Sequence, residues 1–446
     1  MSEVHKGTHK LGLKELVAIG VGGMIGGGIF SVLGLLIQYA GPAAPFAFSI
    51  GAITAFLTAY SYAKFSYYHP CMGGTIEYIA MGIKNLFVLD YINSLLWVGY
   101  VVMVSLYAYA FGSYGAAMLG FAEGTFWYAI VRHALTTIVL IVFMVINLLG
   151  SHIMGKVEDV LVYIKVAILV MFALIGMTRS NPQMLFTEKW PPWYMILLGG
   201  MIIFSAYEGF GIISNAGLDA KSKRDIYWAF FLSVAIVAAI YISIAYVSVT
   251  TLKPQQIVKY EDYALGIIAE PILGKLGFTI IGIAALLSTA SAINATIFGA
   301  ARIAHFIPKT NKIVGKEALE VELLKYEITI STLISMILAN FYNLSNISLM
   351  GSMGFLLVYL AVNYSAYKLA DKIKAKRPII VLAIFFTLFP ALILASTSLY
   401  VAFWSQLKAL STLLLPPLII TIALRPARKI IWRKYYMQLF EEFYSK

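Results

Sequence analysis

Long hydrophobic stretches recur along the whole chain, and short polar segments separate them. A helix that crosses a bilayer needs about 20 mostly apolar residues, and the stretches predict twelve such spans. Spans 1 to 12 are predicted at residues 13–38, 43–67, 87–119, 126–149, 157–177, 194–218, 227–250, 276–306, 326–341, 347–367, 379–398 and 401–424. Only a tight turn separates spans 11 and 12. The pattern therefore predicts an all-α membrane protein.

The middle of span 1 is unusually rich in glycine. Residues 20–30 read GVGGMIGGGIF, so glycine occupies six of eleven positions. Such a cluster weakens a helix, and we expect span 1 to unwind at mid-membrane. Unwound backbone at that depth is tolerated only where it is buried in protein or lines a cavity. In secondary transporters, broken helices of this kind form the substrate and ion site, so the pattern favours transport.

Span 6 is interrupted in the same way, at Gly199, Gly200, Gly209, Gly211 and Gly217. Spans 1 and 6 each open a group of five spans, and an odd number per group makes the second group run in the opposite sense. Two interrupted helices at matching positions of inverted halves indicate a central binding site. The predicted parts are an N-terminal segment, a first repeat, an inverted second repeat, two further spans and a basic tail, at residues 1–12, 13–177, 194–367, 379–424 and 425–446.

The net charge of +12 is explained by its distribution along the chain. With the N-terminus in the cytoplasm, most of the 33 lysine and arginine residues fall at the inner ends of the spans. The outer side holds Arg132, Arg179, Lys189, Lys253, Lys259 and Lys275. Cytoplasmic loops carry such an excess of positive charge. We therefore predict a multi-pass protein of the plasma membrane with both termini cytoplasmic, and the charge is no argument for a nucleic-acid partner.

We find no motif in the sequence that is typical of an enzyme, a metal site or a disulfide. The single cysteine, Cys71, excludes an internal disulfide and a cysteine-based metal site. The six histidines have no metal-ligand spacing, and we find no hydrolase, metalloprotease or phosphate-binding motif. The sequence predicts a protein that is not an enzyme and that uses no cofactor or metal.

Three segments resemble a known transporter family. They are MIGGGIF at residues 24–30, SAYEGF at 205–210 and ASAINAT at 290–296. Together they resemble the amino acid–polyamine–organocation (APC) transporters, with the closest likeness to archaeal, proton-coupled amino acid transporters, over about residues 10–425. The resemblance implies the LeuT-type fold: five plus five inverted helices with helices 1 and 6 broken, then two more helices. It also implies a secondary transporter that imports amino acids by proton-coupled alternating access. The substrate range, cationic or broad, is left open.

The glycines of span 1 are the first candidates for substrate contact. N–H groups at the start of a half-helix carry positive partial charge and bind anions, which suits the carboxylate of an amino acid at Gly26, Gly27 and Gly28. The resemblance implies the same role, with Ile25 beside them. The alternative is that these glycines only allow neighbouring helices to pack closely.

Glu208 lies at the expected break in span 6, where most family members carry an apolar residue. Its carboxylate could accept a proton, pair with a basic group of the substrate or pair with Lys165. Alternatively, it satisfies N–H groups of the unwound backbone. The family often places an aromatic gate three residues earlier, where this chain has Ser205. Candidates for the gate and for substrate contacts in span 6 are Phe204, Ser205, Tyr207, Glu208, Gly209 and Phe210.

Lys165 lies in an otherwise uncharged stretch of span 5, residues 160–170. A charge at that depth costs about 2.5–3.5 kcal/mol on insertion scales and marks function by default. The alternative is a lysine that extends to the membrane interface. The resemblance implies that a lysine here replaces the sodium ion that holds helix 1 to helix 8 in sodium-coupled relatives. We therefore predict proton coupling at Lys165 and Glu208, with Lys165 contacting residues among Gly22, Ile25, Ser288, Thr289 and Ser291.

Several functional alternatives remain at this point. An exchanger of amino acids or polyamines would use the same site without ion coupling, whereas a membrane enzyme or a channel fits the broken, inverted halves less well. The predicted partners are an amino acid, a proton and the lipid bilayer. Asn294 in span 8 either bonds between helices or lines the site. The outer loop at residues 262–273 is expected to be helical and to cap the site.

Overall fold

The computed structural model describes residues 10–71, 73–149, 155–187, 189–305, 317–397 and 404–423. This part of the chain is helical throughout, and a single backbone bridge is its only β-type pairing. The basic tail at residues 425–446, the turn between spans 11 and 12, and most of the N-terminal segment lie outside the described residues. The all-α prediction is confirmed.

Each of the twelve predicted spans coincides with a helix or with a pair of helices. The helices are α1 (Leu13–Met24), α2 (Gly28–Ala40), α3 (Ala44–Tyr68), α4 (Thr75–Gly82), α5 (Leu86–Met118), α6 (Phe126–Leu149), α7 (Gly155–Arg179), α8 (Met184–Thr187), α9 (Trp193–Ile202), α10 (Lys223–Thr251), α11 (Pro254–Val258), α12 (Ala264–Leu273), α13 (Gly277–His305), α14 (Glu317–Phe341), α15 (Leu344–Lys368), α16 (Arg377–Thr397) and α17 (Trp404–Ala423).

Within the described residues, nine helices are long and apolar enough to cross a membrane, or ten if a bent pair in span 6 is included. This number is below twelve for reasons of length and charge. Helices α2 and α3 follow each other so closely that they count as one stretch. Helix α1 has only 12 residues, and Lys325 and Glu327 fall in the first half of α14.

Spans 1 and 6 are broken where glycine predicted it. Span 1 unwinds over residues 25–27, between α1 and α2. In span 6, α9 is followed by the 3₁₀ segments Phe204–Tyr207 and Phe210–Ala216, with a bend of 47°. Glycines weaken both helices at points where neighbouring helices donate hydrogen bonds to the released carbonyl groups.

The two breaks cross each other backbone against backbone. Gly209 has a φ of +121°, a conformation that side-chain-bearing residues rarely adopt. A Cβ atom at Gly209 would lie 2.4 Å from the carbonyl carbon of Gly23. Glycine at position 209 is therefore required both by the backbone conformation and by this contact.

Other helices enclose the crossing point. Helix α10 packs against α1 and α3, and α13 packs against α5. At the end of the bundle where the charge pattern predicts the cytoplasm, the backbone N–H of Leu11 donates to Asp219, and that of Lys221 donates to Leu11, at 2.8 and 2.7 Å. These two bonds join the start of span 1 to the end of span 6, where Leu11 pairs with Ala220.

Candidate functional site

The carbonyl groups at the break in span 1 accept hydrogen bonds from side chains on several helices. Carbonyls at the end of a helix lack partners within that helix, and here α2, α7, α10 and α13 supply them. The bonds run from Lys165 Nζ to Gly22 (3.2 Å), Tyr241 OH to Met24 (2.9 Å), Ser288 Oγ to Gly26 (2.7 Å) and Ile25 (3.3 Å), and Ser31 Oγ to Gly27 (2.6 Å). The acceptors of this segment are thus largely occupied.

Unlike these carbonyl groups, the N–H groups at the start of α2 receive no side-chain partner at the cap. Gly27 is the N-cap of α2, and no side chain caps this end. The first N–H groups of a helix have no partner within it, and they form the positive end of its dipole. The break therefore offers hydrogen-bond donors to an anion, while its carbonyls are bound by the protein. That is the chemistry a substrate carboxylate requires.

Close packing also explains why residues 26–28 are glycines. A Cβ at Gly27 would lie 2.5 Å from the ring of Tyr107, and one at Gly26 would lie 3.0 Å from Ala292. At Gly28 it would lie 3.0 Å from the Cα of Ala206. Packing and anion binding are compatible at this motif, because the first concerns the missing side chains and the second the backbone N–H groups.

Lys165 lies in the protein interior, with 3% of its surface exposed. A Cβ at Gly22 would lie 2.7 Å from Val162, so glycine there allows α7 to approach α1. Val162 and Lys165 are three residues apart and share one face of α7. A lysine that extended to the interface would expose its ammonium group, and the contact with Gly22 argues against that alternative.

Of the other predicted partners of Lys165, Ile25 lies in the break of span 1, and Ser288, Thr289 and Ser291 lie on α13. Ser288 binds the carbonyls of span 1, as described above. The hydroxyl of Thr289 donates to Ala285 in its own helix at 2.7 Å. Ser291 is buried on the same helix. Helix α13, which is span 8, therefore binds the break in span 1 through hydrogen bonds of Ser288.

Glu208 is buried between the two 3₁₀ segments of span 6, with 7% of its surface exposed. Among the described residues, no backbone N–H donates to its carboxylate, although the alternative role predicted above needs such a bond. Four phenols lie within electrostatic range of this carboxylate, three of them buried (Tyr62, Tyr107 and Tyr359) and one half-buried (Tyr100). These tyrosines could not be recognised from the sequence, because nothing distinguishes them among the 29 in the chain.

The aromatic residues of span 6 separate into two groups. The rings of Phe204 and Phe210 lie 5.9 and 5.2 Å from that of Tyr359, so both belong to the tyrosine group around Glu208. The hydroxyl of Tyr207 instead donates to the carbonyl of Phe48 at 3.0 Å, which assigns this side chain to packing against α3. Phe204 and Phe210 remain the candidates for an aromatic gate.

Two polar side chains near the site have different environments. Ser205 Oγ is buried, and the described residues give it no hydrogen-bond partner. The backbone N–H of Ser205 donates to Ser352 Oγ at 2.9 Å. Asn294 accepts a bond from Asn147 Nδ2 at 2.9 Å. This contact links α6 to α13 and favours the interhelical role for Asn294.

A helical segment at residues 254–273 packs against α2 and α13, and its second half is helical, as the sequence predicted. Asp262 of this segment is buried and binds neighbouring helices. The carboxylate accepts hydrogen bonds from Tyr109, Ser113 and Tyr128, at 3.2, 3.4 and 3.1 Å. These bonds fasten the segment to α5 and α6.

We expect the thermal stability of the protein to fall as pH rises from about 5 to 8.5. Burial raises the pKa of Glu123 to about 8 and that of Glu261 to about 7, and it also raises the pKa of Asp262. In this range the folded protein holds protons that the unfolded chain has released, so each added unit of pH favours unfolding. Melting curves in detergent should show the decline.

Glu123→Gln should flatten this decline, because the uncharged side chain no longer titrates. Glu270→Gln is the matched control, because Glu270 is an exposed carboxylate on α12. Its melting curves should keep the slope of the unmodified protein. If Glu123→Gln left the decline of melting temperature with pH unchanged, the decline could not be assigned to the carboxyl groups of Glu123, Glu261 and Asp262.

Comparison with known proteins identifies the family. The sequence matches the family model described as "Amino acid permease" over residues 11–424. The chain belongs to the amino acid permease family. This permease is therefore a multi-pass membrane transporter and not an enzyme, and its fold is of the LeuT type, as the sequence predicted.

Relatives support this assignment. The permease is 31% identical over 415 residues to the inner membrane transport protein YbaT of Escherichia coli, covering 91% of this chain and 93% of YbaT. It is 31% identical over 375 residues to the uncharacterized protein MJ0609 of Methanocaldococcus jannaschii, covering 83% and 85%. It is 22% identical over 329 residues to the branched-chain amino acid permease BcaP of Bacillus subtilis, covering 69% and 68%. These similarities support amino acid transport.

Proposed function

We propose that this permease imports amino acids across the plasma membrane by proton-coupled alternating access, with both termini in the cytoplasm. The substrate carboxylate binds the N–H groups at the start of α2, at Gly26, Gly27 and Gly28. The proton binds Lys165. The observation that carries this proposal is the buried contact of Lys165 with the last turn of α1.

The second repeat offers an internal comparison for Lys165. At the break in span 6, the carbonyl of Ile202 accepts bonds from Ser348 and Ser352 of α15, at 2.7 and 2.6 Å. Helix α15 is span 10, the counterpart of span 5 in the inverted repeat. Neutral hydroxyls therefore suffice to bind the carbonyls of a broken helix in this protein. A lysine at the corresponding position additionally supplies a positive charge, which the side chain gains and loses together with a proton.

The charge of Lys165 acts on the negative end of the α1 dipole. When protonated, the ammonium attracts this end and holds α1 against α7. Burial makes the charged form costly, so loss of the proton is within reach during the transport cycle. A neutral Lys165 holds α1 less firmly, which favours movement of α1 and opening of the contact between Leu11 and Ala220.

Glu208 is proposed to favour substrates with a second positive charge. Its carboxylate is buried among phenols, where an amine or guanidinium would find a charge partner and aromatic faces. The cationic amino acid transporter 7 of Arabidopsis thaliana, whose name states such substrates, is 25% identical over 267 residues, covering 55% of this chain and 45% of the relative.

Glu208→Gln is expected to weaken binding of lysine and arginine about 10–100-fold, the factor that corresponds to one hydrogen bond to a charged group. Competition against a labelled neutral amino acid measures the effect, and competition by neutral amino acids should change little. Glu270→Gln removes an exposed carboxylate and serves as the control. An unchanged preference and an unchanged pH dependence would remove Glu208 from the site.

The proposed function as a whole is tested by uptake into proteoliposomes. Labelled amino acids should accumulate when an inward proton gradient is imposed, and sodium should make no difference. Uptake that occurs only with substrate loaded inside would support an exchanger instead.

A further inference from the structure

A groove lies apart from the broken helices, between α5, α15 and the turn that follows α4. Its volume is about 840 Å³. Lys84 and Asn85 line one end, and Leu95 and Leu357 line the other. No residue of span 1 or span 6 borders it, so the groove is separate from the proposed substrate site.

The length of the groove matches one leaflet of a bilayer. Along α5 it runs from Asn85 to Leu95, and along α15 from Leu357 to Lys368. At 1.5 Å per residue, these distances are about 15 to 17 Å. The hydrocarbon core of a bilayer is about 30 Å thick, so the groove extends about as deep as a single acyl chain does.

The two ends of the groove differ in chemistry. Its deep part is aliphatic, whereas its shallow end holds the ammonium groups of Lys84 and Lys368 beside Asn85 and Tyr364. Lys368 Nζ lies 5.6 Å from the centre of the Tyr364 ring. Among the described residues, those that line the groove include no aspartate or glutamate. The two lysines therefore bring positive charge to this end, which the charge pattern of the whole chain predicts to lie at the cytoplasmic face.

We propose that this groove binds an anionic phospholipid of the inner leaflet. The phosphate of the headgroup lies between Lys84 and Lys368, and an acyl chain follows the aliphatic part. Basic pockets between helices at the cytoplasmic face bind anionic headgroups in this way. The bound lipid joins α5 to α15, the helices that carry Tyr107 and Tyr359 of the central site.

The test compares lipid binding by native mass spectrometry of the full-length permease in detergent. Phosphatidylglycerol should bind more tightly than phosphatidylcholine with the same acyl chains. The double variant Lys84→Gln/Lys368→Gln should bind phosphatidylglycerol about 30-fold more weakly, the factor expected for two lysines at a membrane surface. Inorganic phosphate alone should not displace the lipid, because it cannot occupy the aliphatic part.

Two matched variants control for folding and for general loss of charge. Lys84→Arg/Lys368→Arg should retain the preference for phosphatidylglycerol. Lys221→Gln/Lys223→Gln removes two exposed lysines elsewhere on the same face and should also retain it. The proposal is overturned if both lipids bind equally well, if phosphate alone displaces the lipid, or if Lys84→Gln/Lys368→Gln keeps the affinity of the unmodified permease.

Discussion

Replacing Lys165 by alanine is expected to abolish uptake that is driven by a proton gradient. The variant loses the charge that holds the last turn of α1, and the carbonyl of Gly22 loses a buried donor at 3.2 Å. A hydrogen bond to a charged group contributes about 1.5–3 kcal/mol, so a loss of 10- to 100-fold in the gradient-driven rate follows from this contact alone. Initial rates of uptake at a fixed pH gradient measure it.

Lys408→Ala is the matched control for this experiment. Lys408 also lies within a predicted span, but its side chain is exposed and stands 5.1 Å from the ring of Tyr342 on the periphery. This variant should keep the driven rate of the unmodified permease. Exchange of labelled for unlabelled substrate, which needs no net proton movement, should persist in Lys165→Ala and show that the variant is folded. Full gradient-driven uptake in Lys165→Ala would exclude Lys165 as the proton site.

Gly209→Ala is expected to destabilise the permease by about 2–6 kcal/mol and to abolish transport. Part of the cost is the strain of a side-chain-bearing residue at a φ of +121°, worth about 1–3 kcal/mol. The rest is overpacking, because the new Cβ would lie 2.4 Å from the carbonyl carbon of Gly23, and such clashes cost about 1–3 kcal/mol. The melting temperature measures the loss of stability, and uptake into proteoliposomes measures the loss of transport.

Gly274→Ala separates strain from overpacking. Gly274 also has a positive φ, +78°, but a Cβ there would meet no atom within 4 Å. This variant should lose only the smaller, conformational part of the stability and should still transport. If Gly209→Ala behaved like Gly274→Ala, the close contact between the two breaks would not constrain the permease.

The spans and their breaks could be predicted because their signals are local in sequence. Twenty apolar residues specify a crossing helix, and clustered glycines weaken the helix in which they occur. The contact between Lys165 and Gly22 was expected from the family resemblance, because the chain carries a lysine at the corresponding position of span 5. A buried charge in an apolar stretch is visible in the sequence without a structure.

The surroundings of the site could not be predicted, because they depend on contacts between distant parts of the chain. Tyr241 binds the carbonyl of Met24 from 217 positions away. Tyr107 and Tyr359 approach Glu208 from two further helices. Neither spacing nor composition marks these residues, since tyrosine also occurs widely at lipid-facing and packing positions. The pairing of Leu11 with Ala220 was missed for another reason, since a single backbone bridge leaves no side-chain pattern.

The most direct test of the central claim is to record proton movement caused by the substrate itself. Proteoliposomes with a trapped pH-sensitive dye, without an imposed gradient and without sodium, receive a transported amino acid from outside. We expect the lumen to acidify as the amino acid enters. Lys165→Ala should show no acidification, whereas Lys408→Ala should behave as the unmodified permease does. Entry of the amino acid with no change of internal pH would contradict proton-coupled import.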